Sequence, residues 1–510
     1  MKFLPSLSWP STSRNSRNSL TSWPSWFFLA GLTCLNSLVL QGCSMEPPYQ
    51  KPQVKTEATF SESFWMPAHP QLAEVPDTWW DAFHDPVLSS LEKKVSVSNE
   101  TILNNLAQLR MAKGSLESSV ASLYPTFGGT ASGVRSRNAQ TTNANGVSQV
   151  NTNLANTFTL SGSFSWDLDL WGRLASTVHE NEAFLQASAD TLAAVRLAQQ
   201  ISLAQTYFAM RTAEATAATW RKTVESNKAF LALTEKRRQS GVAASADVAA
   251  AEGQLQSSQA QLIEQEFLRS QAAHAVAVLL GKQPGELPLE VTGVLPEVPP
   301  LPALIPSTLL QRRPDIAAAE RNVAAANSAV GVAKAALFPD ITLNGSGGFR
   351  AGLLPKLLKT SQEFWSIGPA LSFSGFNAPL LNAVNEQTAG NVEKALSAYR
   401  QTVLTAFQEV EDNLAAAQQL QEEQAAQGLA LKAAQTSLQV ALAQYKAGTV
   451  SYLNVITAQN AALVDENAWT AVRNRQLVAT GILLKNAAGP WDDKNLPAVN
   501  ASTLVGATTK

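Results

Sequence analysis

The residues in this chain that could carry chemistry do not gather into catalytic sets. His179-Glu180 begins a string of the kind that holds zinc on one helix face, but Ala183 stands where the second histidine would be. One imidazole without its i+4 partner is not that site. Leu280-Gly281-Lys282-Gln283 lacks the earlier glycine of a phosphate loop and the Ser/Thr that should follow the lysine. No Gly-x-Ser-x-Gly elbow occurs, and the four histidines are scattered. These patterns predict neither enzyme activity nor a metal or cofactor. A net charge of −2 with 15% charged residues gives no electrostatic reason to expect nucleic acid as a partner.

The two cysteines do carry a chemical message. Cys34 and Cys43 both lie near the N-terminus, where Lys2, Arg14 and Arg17 precede an apolar core from Trp26 to Leu40. That order is the mark of a secretory signal. The string Leu40-Gln41-Gly42-Cys43 resembles a bacterial lipobox, which implies a signal peptide over 1–42. Cys43 would then become the first residue and carry an S-diacylglycerol and an N-palmitoyl chain. Ser44 is not the aspartate that resembles an inner-membrane retention signal, so outer-membrane sorting is implied. The alternative is an ordinary signal peptide with an incidental cysteine. Processing there leaves one cysteine and no internal disulfide. Residues 43–77 are rich in proline and aromatics (Pro47, Pro48, Tyr49, Pro52), which predicts an extended tether from the lipid.

Beyond the tether the chain is built twice. The run from Trp171 to Gln239 contains no proline and stops at Ser240-Gly241; the run from Leu380 to Lys446 stops at Ala447-Gly448. Leu396, Tyr399, Val403, Ala406 and Val410 step by three and four, the seam of a coiled coil. Leu174, Val178, Leu185 and Leu192 keep the same phase. At a 1.5 Å rise such helices reach about 100 Å, far beyond an ordinary globular helix of ~10–14 residues. Glutamines replace the apolar seam from Gln418 to Gly428, which predicts an interruption there. Each reversal should start a return helix, with Ser245 able to cap the first. A shorter helix is expected from about Ser98 to Leu123. Together these give repeat one over 78–285, a Pro-rich linker over 286–311, repeat two over 312–490 and a tail over 491–510.

Each repeat also carries a β-hairpin, 126–170 and 340–376. In the first, Phe158, Leu160, Gly162, Phe164, Trp166, Leu168 and Leu170 alternate with polar residues. Strict alternation puts one face in an apolar medium and the other in water. The length suits a tilted strand crossing a bilayer, which takes ~9–11 residues; a soluble hairpin packed on a core would alternate too. Trp166 and Trp171 are placed for an interfacial girdle. Residues 138–156 read as an Asn/Thr/Ser loop. In the second hairpin Pro369 removes a ladder donor, which predicts an edge or a bulge.

The string Trp79-Trp80-Asp81-Ala82-Phe83-His84-Asp85-Pro86-Val87-Leu88, soon after a lipobox, resembles the outer-membrane efflux lipoproteins, the OprM/NodT branch of the TolC family. Arg312-Arg313-Pro314-Asp315-Ile316-Ala317-Ala318-Ala319-Glu320 resembles the same family more closely still. The resemblance runs from Cys43 to about Trp491 and implies an α+β membrane protein with two internal repeats. It would be a homotrimer whose twelve-stranded outer-membrane barrel, four strands per chain, continues as an α-helical periplasmic tunnel. The implied function is the outer-membrane channel of a tripartite efflux system. Its partners would be outer-membrane lipid, a periplasmic membrane-fusion (adaptor) protein and an inner-membrane pump of resistance-nodulation-division type that supplies the energy. The rival is a lipid-anchored periplasmic coiled-coil spacer or adaptor without a pore.

The resemblance also assigns the tips of the rods. Gly241, Val242, Ala243, Gly448, Thr449 and Val450 would contact the adaptor, and Asp247, Tyr445, Leu453, Asn454 and Thr457 would form the periplasmic gate. Related channels often carry aspartates where this chain has Asn454 and Thr457. The expected gate therefore rests on a Leu453 ring and neutral polar contacts, with weaker block by cations than an acidic ring gives. The Ser374-Gly375-Phe376-Asn377-Ala378-Pro379 turn likewise departs from the Gly-Gly-Arg type of similar proteins.

Overall fold

A computed structural model describes residues 44–52, 78–144, 147–300, 313–373 and 378–487. The expected signal peptide, Cys43, Arg312, the 374–377 turn, the later part of the linker and the tail lie outside the described residues.

The Trp79–Leu88 string forms its local structure for readable reasons. A 3-10 turn, Trp79–Phe83, is followed by helix α1, Pro86–Ser98. Asp85 caps α1 by accepting from the backbone N–H groups of Val87 and Leu88, and Pro86 fills the first position, where no donor is needed. Trp79, Trp80, Phe83 and Leu88 are buried with Phe208 and Leu477 in the main hydrophobic core. The helix expected from about Ser98 to Leu123 is α2, Glu100–Ala121, and Asn99 caps it through its side chain.

The long helix α3, Arg173–Gln239, begins two residues later than its sequence run. Asp169, at φ 43°, accepts from the N–H groups of Leu174 and Ala175, and Gly172 turns in at φ 73°. The return helix α4 spans Ser245–Leu279. An extended segment, pinned by Arg269 on the Leu289 carbonyl at 2.6 Å, leads away from it. Helices α5 (Pro314–Ala335), α6 (Ala378–Lys446) and α7 (Tyr452–Ala487) repeat the plan. The copies agree closely: 22 residues in α2 and in α5, 67 in α3 against 69 in α6, and 35 in α4 against 36 in α7.

The interruption expected near Gln418–Gly428 does not occur, because α6 runs through it unbroken. Polar contacts replace the apolar seam there. Gln476 donates to the Leu420 carbonyl at 2.8 Å, and Gln427 donates to Asp465 at 3.2 Å. Elsewhere the seam is as read: Tyr399, Val403, Ala406 and Val410 are buried.

Strands β1 (Thr126–Ala144), β2 (Val147–Asp167), β3 (Asp340–Ala351) and β4 (Glu363–Ser372) form one antiparallel sheet in that order. The expected 138–156 loop is mostly ladder, since Asn138 pairs with Asn153 and Ala144 with Val147. The Asn/Thr/Ser composition suggested a loop, but the register set lower in the hairpin propagates upward, and Thr and Val accept extended backbone. Beyond Phe158, β2 pairs with β1 alone, so this hairpin projects about 35 Å past its neighbours at ~3.3 Å per residue. Leu168 and Leu170 fall outside the strand in the turn to α3, although Leu168 keeps one backbone bond to Ile341. Pro369 sits on the edge strand β4, opposite Leu343.

The register divides the sheet into two unlike faces. Directly paired residues share a face, and the pairs Phe127–Phe164, Ala131–Leu160, Leu160–Phe349, Trp166–Leu343, Gly345–Ile367 and Ile341–Leu371 all fall on one side. Thr126–Ser165, Thr130–Ser161, Ser165–Asn344 and Ser346–Ser366 fall on the other. The polar side is hydrogen-bonded across strands, at 2.7 Å between Ser165 and Asn344 and 2.8 Å between Ser346 and Ser366. Phe364 is its aromatic exception, lying under the Arg350 guanidinium. On the apolar side Phe127 (81% exposed) and Trp365 (77%) are uncovered among the described residues.

Candidate functional site

Two regions follow from this layout: the sheet, and the far ends of the helical hairpins. At those ends both reversals use the same backbone device. Gly241 and Gly448 take φ 76° and 78°, a region open to glycine at little cost. Gly241 and Val242 then donate to the carbonyls of Arg238 and Arg237, and Gly448 and Thr449 donate to those of Tyr445 and Gln444. This is the Schellman closure, and it satisfies carbonyls that the helix end leaves free. Val242 stands out at the tip, 75% exposed; Thr449 is exposed, while Ala243 and Val450 are half-buried.

Ser245 does not cap α4 as expected. The cap position is Ala244, and the Asp247 carboxylate accepts the Ala244 N–H at 3.2 Å. With one residue fewer in the turn than the Ser-cap reading assumed, Ser245 falls on the first helical position and the carboxylate reaches back instead. Asp247 is thereby engaged in holding a helix end, whose partial positive charge it also complements.

Leu453, Asn454 and Thr457 are exposed on the first turns of α7, with spacings of one and four that place them on one face. Leu453 is 66% exposed. The Thr457 hydroxyl donates to the Leu453 carbonyl, so its outward polarity is partly spent. Tyr445 is elsewhere. It is buried between the two hairpins with Tyr452, Val455 and Ala251, and Phe230 packs on it. Ring centroids lie 5.6 Å apart for Tyr445–Tyr452 and 5.9 Å apart for Phe230–Tyr452. Burial and the neighbouring Tyr445 push the Tyr452 hydroxyl up to about 12.

Sequence reasoning missed the residue that ties the two tips together. Arg237, in the last turn of α3, donates to the carbonyls of Tyr445 and Lys446 at 3.3 Å each. Its guanidinium also lies 4.7 Å from the centre of the Tyr445 ring. A cation placed on the last carbonyls of α6 meets the negative end of that helix, and the aromatic face adds attraction. The available signal was Lys236-Arg237-Arg238 just before the reversal, opposite an aromatic in the second copy. Farther along the rods, Asn227, Ser258 and Gln459 form a buried polar junction between α3, α4 and α7, with Gln459 donating to Asn227 at 2.9 Å.

Two further networks hold the middle of the molecule. Arg211 and Glu214 are both almost fully buried and paired at 2.7 Å, and Glu214 also receives the Thr292 N–H. Arg313 donates to Asp315, Glu409 and Asn486. Burial would raise the Glu409 carboxyl, but the Lys485 and Arg313 charges outweigh it and hold it below the usual carboxylate range. This explains the Arg-Pro-Asp string physically: it locks the start of α5 to α6 and α7.

A sheet with one apolar and one polar face, standing on helices about 100 Å long, is the build of an outer-membrane channel protein. Residues 93–282 and 305–489 match the family described as outer membrane efflux protein, and the chain belongs to that family. Over 462 residues it is 28% identical to the probable efflux pump outer membrane protein TtgC of Pseudomonas putida, covering 90% of this chain and 94% of that protein. Over 431 residues it is 29% identical to the cation efflux system protein CusC of Escherichia coli, covering 83% and 91%. The structure of the outer-membrane channel OprN superposes with a TM-score of 0.78 at 27% identity, covering 88% of this chain and all of that one. The resemblance read from Trp79–Leu88 and Arg312–Glu320 is correct at family level. The chain is the outer-membrane component of an efflux system, and the poreless spacer gains no support.

Proposed function

We propose that three copies of the chain close a twelve-stranded barrel in the outer membrane. Their helices continue it as a tunnel that conducts substrates passively from an adaptor and an inner-membrane pump of resistance-nodulation-division type. One observation carries this reading: the four-stranded sheet has an apolar and a polar face, and β1 and β4 are its unpaired edges among the described residues. An edge left in hydrocarbon costs several kcal/mol per unsatisfied backbone group, so closure must come from other copies. In this reading Cys43 carries the lipid, next to Ser44 at the junction of sheet and helix, where Ser44 lies against Gly172. Gly241, Val242, Ala243, Gly448, Thr449 and Val450 meet the adaptor. Leu453, Asn454 and Thr457 face the narrowed pore, with Tyr445 and Asp247 holding the tips behind them.

Mass in mild detergent, heat-modifiable gel mobility and ion conductance in planar bilayers test the proposal together. A mass of three chains, a heat-sensitive band and discrete conductance steps are expected. A stable single chain that gives no conductance would end it.

A further inference from the structure

The far edge of the sheet carries a cationic rim that neither the channel nor its gate uses. Arg135 and Arg137 lie on β1 opposite Asn156 and Leu154, on the same side as Phe127, Leu160 and Trp166. Both are exposed and make no ion pair among the described residues. From Trp166 to Asn156, the partner of Arg135, the strand advances ten residues. At ~3.3 Å per residue and a tilt of about 40°, that is a rise of about 25 Å, the height of an outer-membrane apolar band. The arginines thus stand where hydrocarbon gives way to headgroups, on the lipid side, at the end of the sheet away from the helices.

The turn between β3 and β4 reaches the same level, since Gly352 lies against the Asn156 carbonyl. It presents exposed Lys356 and Lys359 together with Leu354 (61% exposed) and Leu358 (70%). Leucines beside lysines suit acyl chains and charged headgroups at one boundary. No acidic residue occurs from Thr126 to Trp166, and only Glu363 does between Ile341 and Asn385. Charge on this rim is therefore almost wholly positive. Guanidinium groups bind phosphate through paired N–H donors, and ammonium groups bind it as point charges.

We propose that Arg135, Arg137, Lys356 and Lys359 form a binding site for the phosphate groups of glycolipids in the outer leaflet, with Leu354 and Leu358 against their acyl chains. The site rests on the membrane reading of the sheet. The test places the full-length, detergent-purified protein in phosphatidylcholine nanodiscs and titrates either bis-phosphorylated lipid A or its dephosphorylated form. Native mass spectrometry counts the bound lipid. The wild-type protein should retain the phosphorylated lipid at least about tenfold more tightly than the dephosphorylated one. R135Q/R137Q/K356Q/K359Q should lose that preference, and R350Q, on the polar face, should keep it. Preference that persists in millimolar inorganic phosphate supports a lipid site; abolition by free phosphate overturns it. Equal retention of both lipids by wild-type protein, or an undiminished preference in the quadruple variant, also overturns it. Conductance of the same preparations in neutral bilayers separates the two readings: without it the membrane reading fails, and with it only the glycolipid site is judged.

Discussion

Arg237 shows how one side chain joins two copies of a motif. It reaches from the end of α3 to the last carbonyls of α6 and covers the Tyr445 ring. Two charge-assisted hydrogen bonds and a cation–π contact at a partly exposed site are together worth about 1–2 kcal/mol. If the tips part when the channel opens, Arg237→Gln should shift the closed-to-open ratio by ~5–30-fold. Single-channel recordings should then show longer or larger openings; unchanged gating would remove the latch from the mechanism. Glu92 makes a different point. It is fully buried on α1 between Leu88 and Val95, and its carboxyl has no hydrogen-bond partner among the described residues. Burial alone pushes it up to about 9. The folded state therefore holds a proton that the unfolded chain releases near pH 4.5. Stability from this group is fully present below that pH and declines up to about pH 9. Glu92→Gln should flatten that decline and raise stability at pH 7 by on the order of 3 kcal/mol. Thermal unfolding of the detergent-solubilised protein across pH 5–9 checks it, and parallel curves for the two proteins would refute it.

At the level of elements, a short strap, residues 44–52, is laid along the start of the helices. Glu46 accepts from the Ser328 hydroxyl at 2.6 Å and meets His179 at 2.7 Å, Asn327 donates to the Pro47 carbonyl, and the Tyr49 hydroxyl bonds Glu320. Gly331 on α5 makes room for it: a Cβ there would lie 2.7 Å from the Ser176 hydroxyl and 2.9 Å from the Glu46 Cα. Gly331→Leu should displace the strap while leaving α5 helical. Faster proteolytic cleavage within 44–52, with unchanged circular dichroism, is the expected result, and equal cleavage rates would count against the docking. The strap also shows where reading along the chain stops. Its prolines predicted extended backbone, but nothing in its composition identified α5 as its seat. The histidine that failed as half of a zinc motif, His179, is a contact of that strap.

Across the whole molecule, the two faces of the sheet make opposite predictions for neighbouring residues. Ile367 lies on the apolar face and Ser366 on the polar one. In the proposed barrel, Ile367→Arg places a cation against hydrocarbon between the midplane and the interface at about 1–2 kcal/mol, and the heat-modifiable trimer should fall. Ser366→Arg should assemble normally and change conductance instead. Equal assembly of the two variants would mean that the apolar face does not meet lipid. Much of this plan was legible in the chain: the duplication, the alternation of β2, the reversals at Gly241 and Gly448, and the aromatic start at Trp79. Such features depend on local periodicity and turn chemistry, which a linear sequence records directly. Pairings between distant residues decided the rest. Register converted the 138–156 loop into ladder, hydrogen bonds between α6 and α7 replaced the apolar seam at the glutamines, and the closeness of two helix ends gave Arg237 its role. None of these has a local signature, because each depends on which backbone groups meet only after the chain has folded.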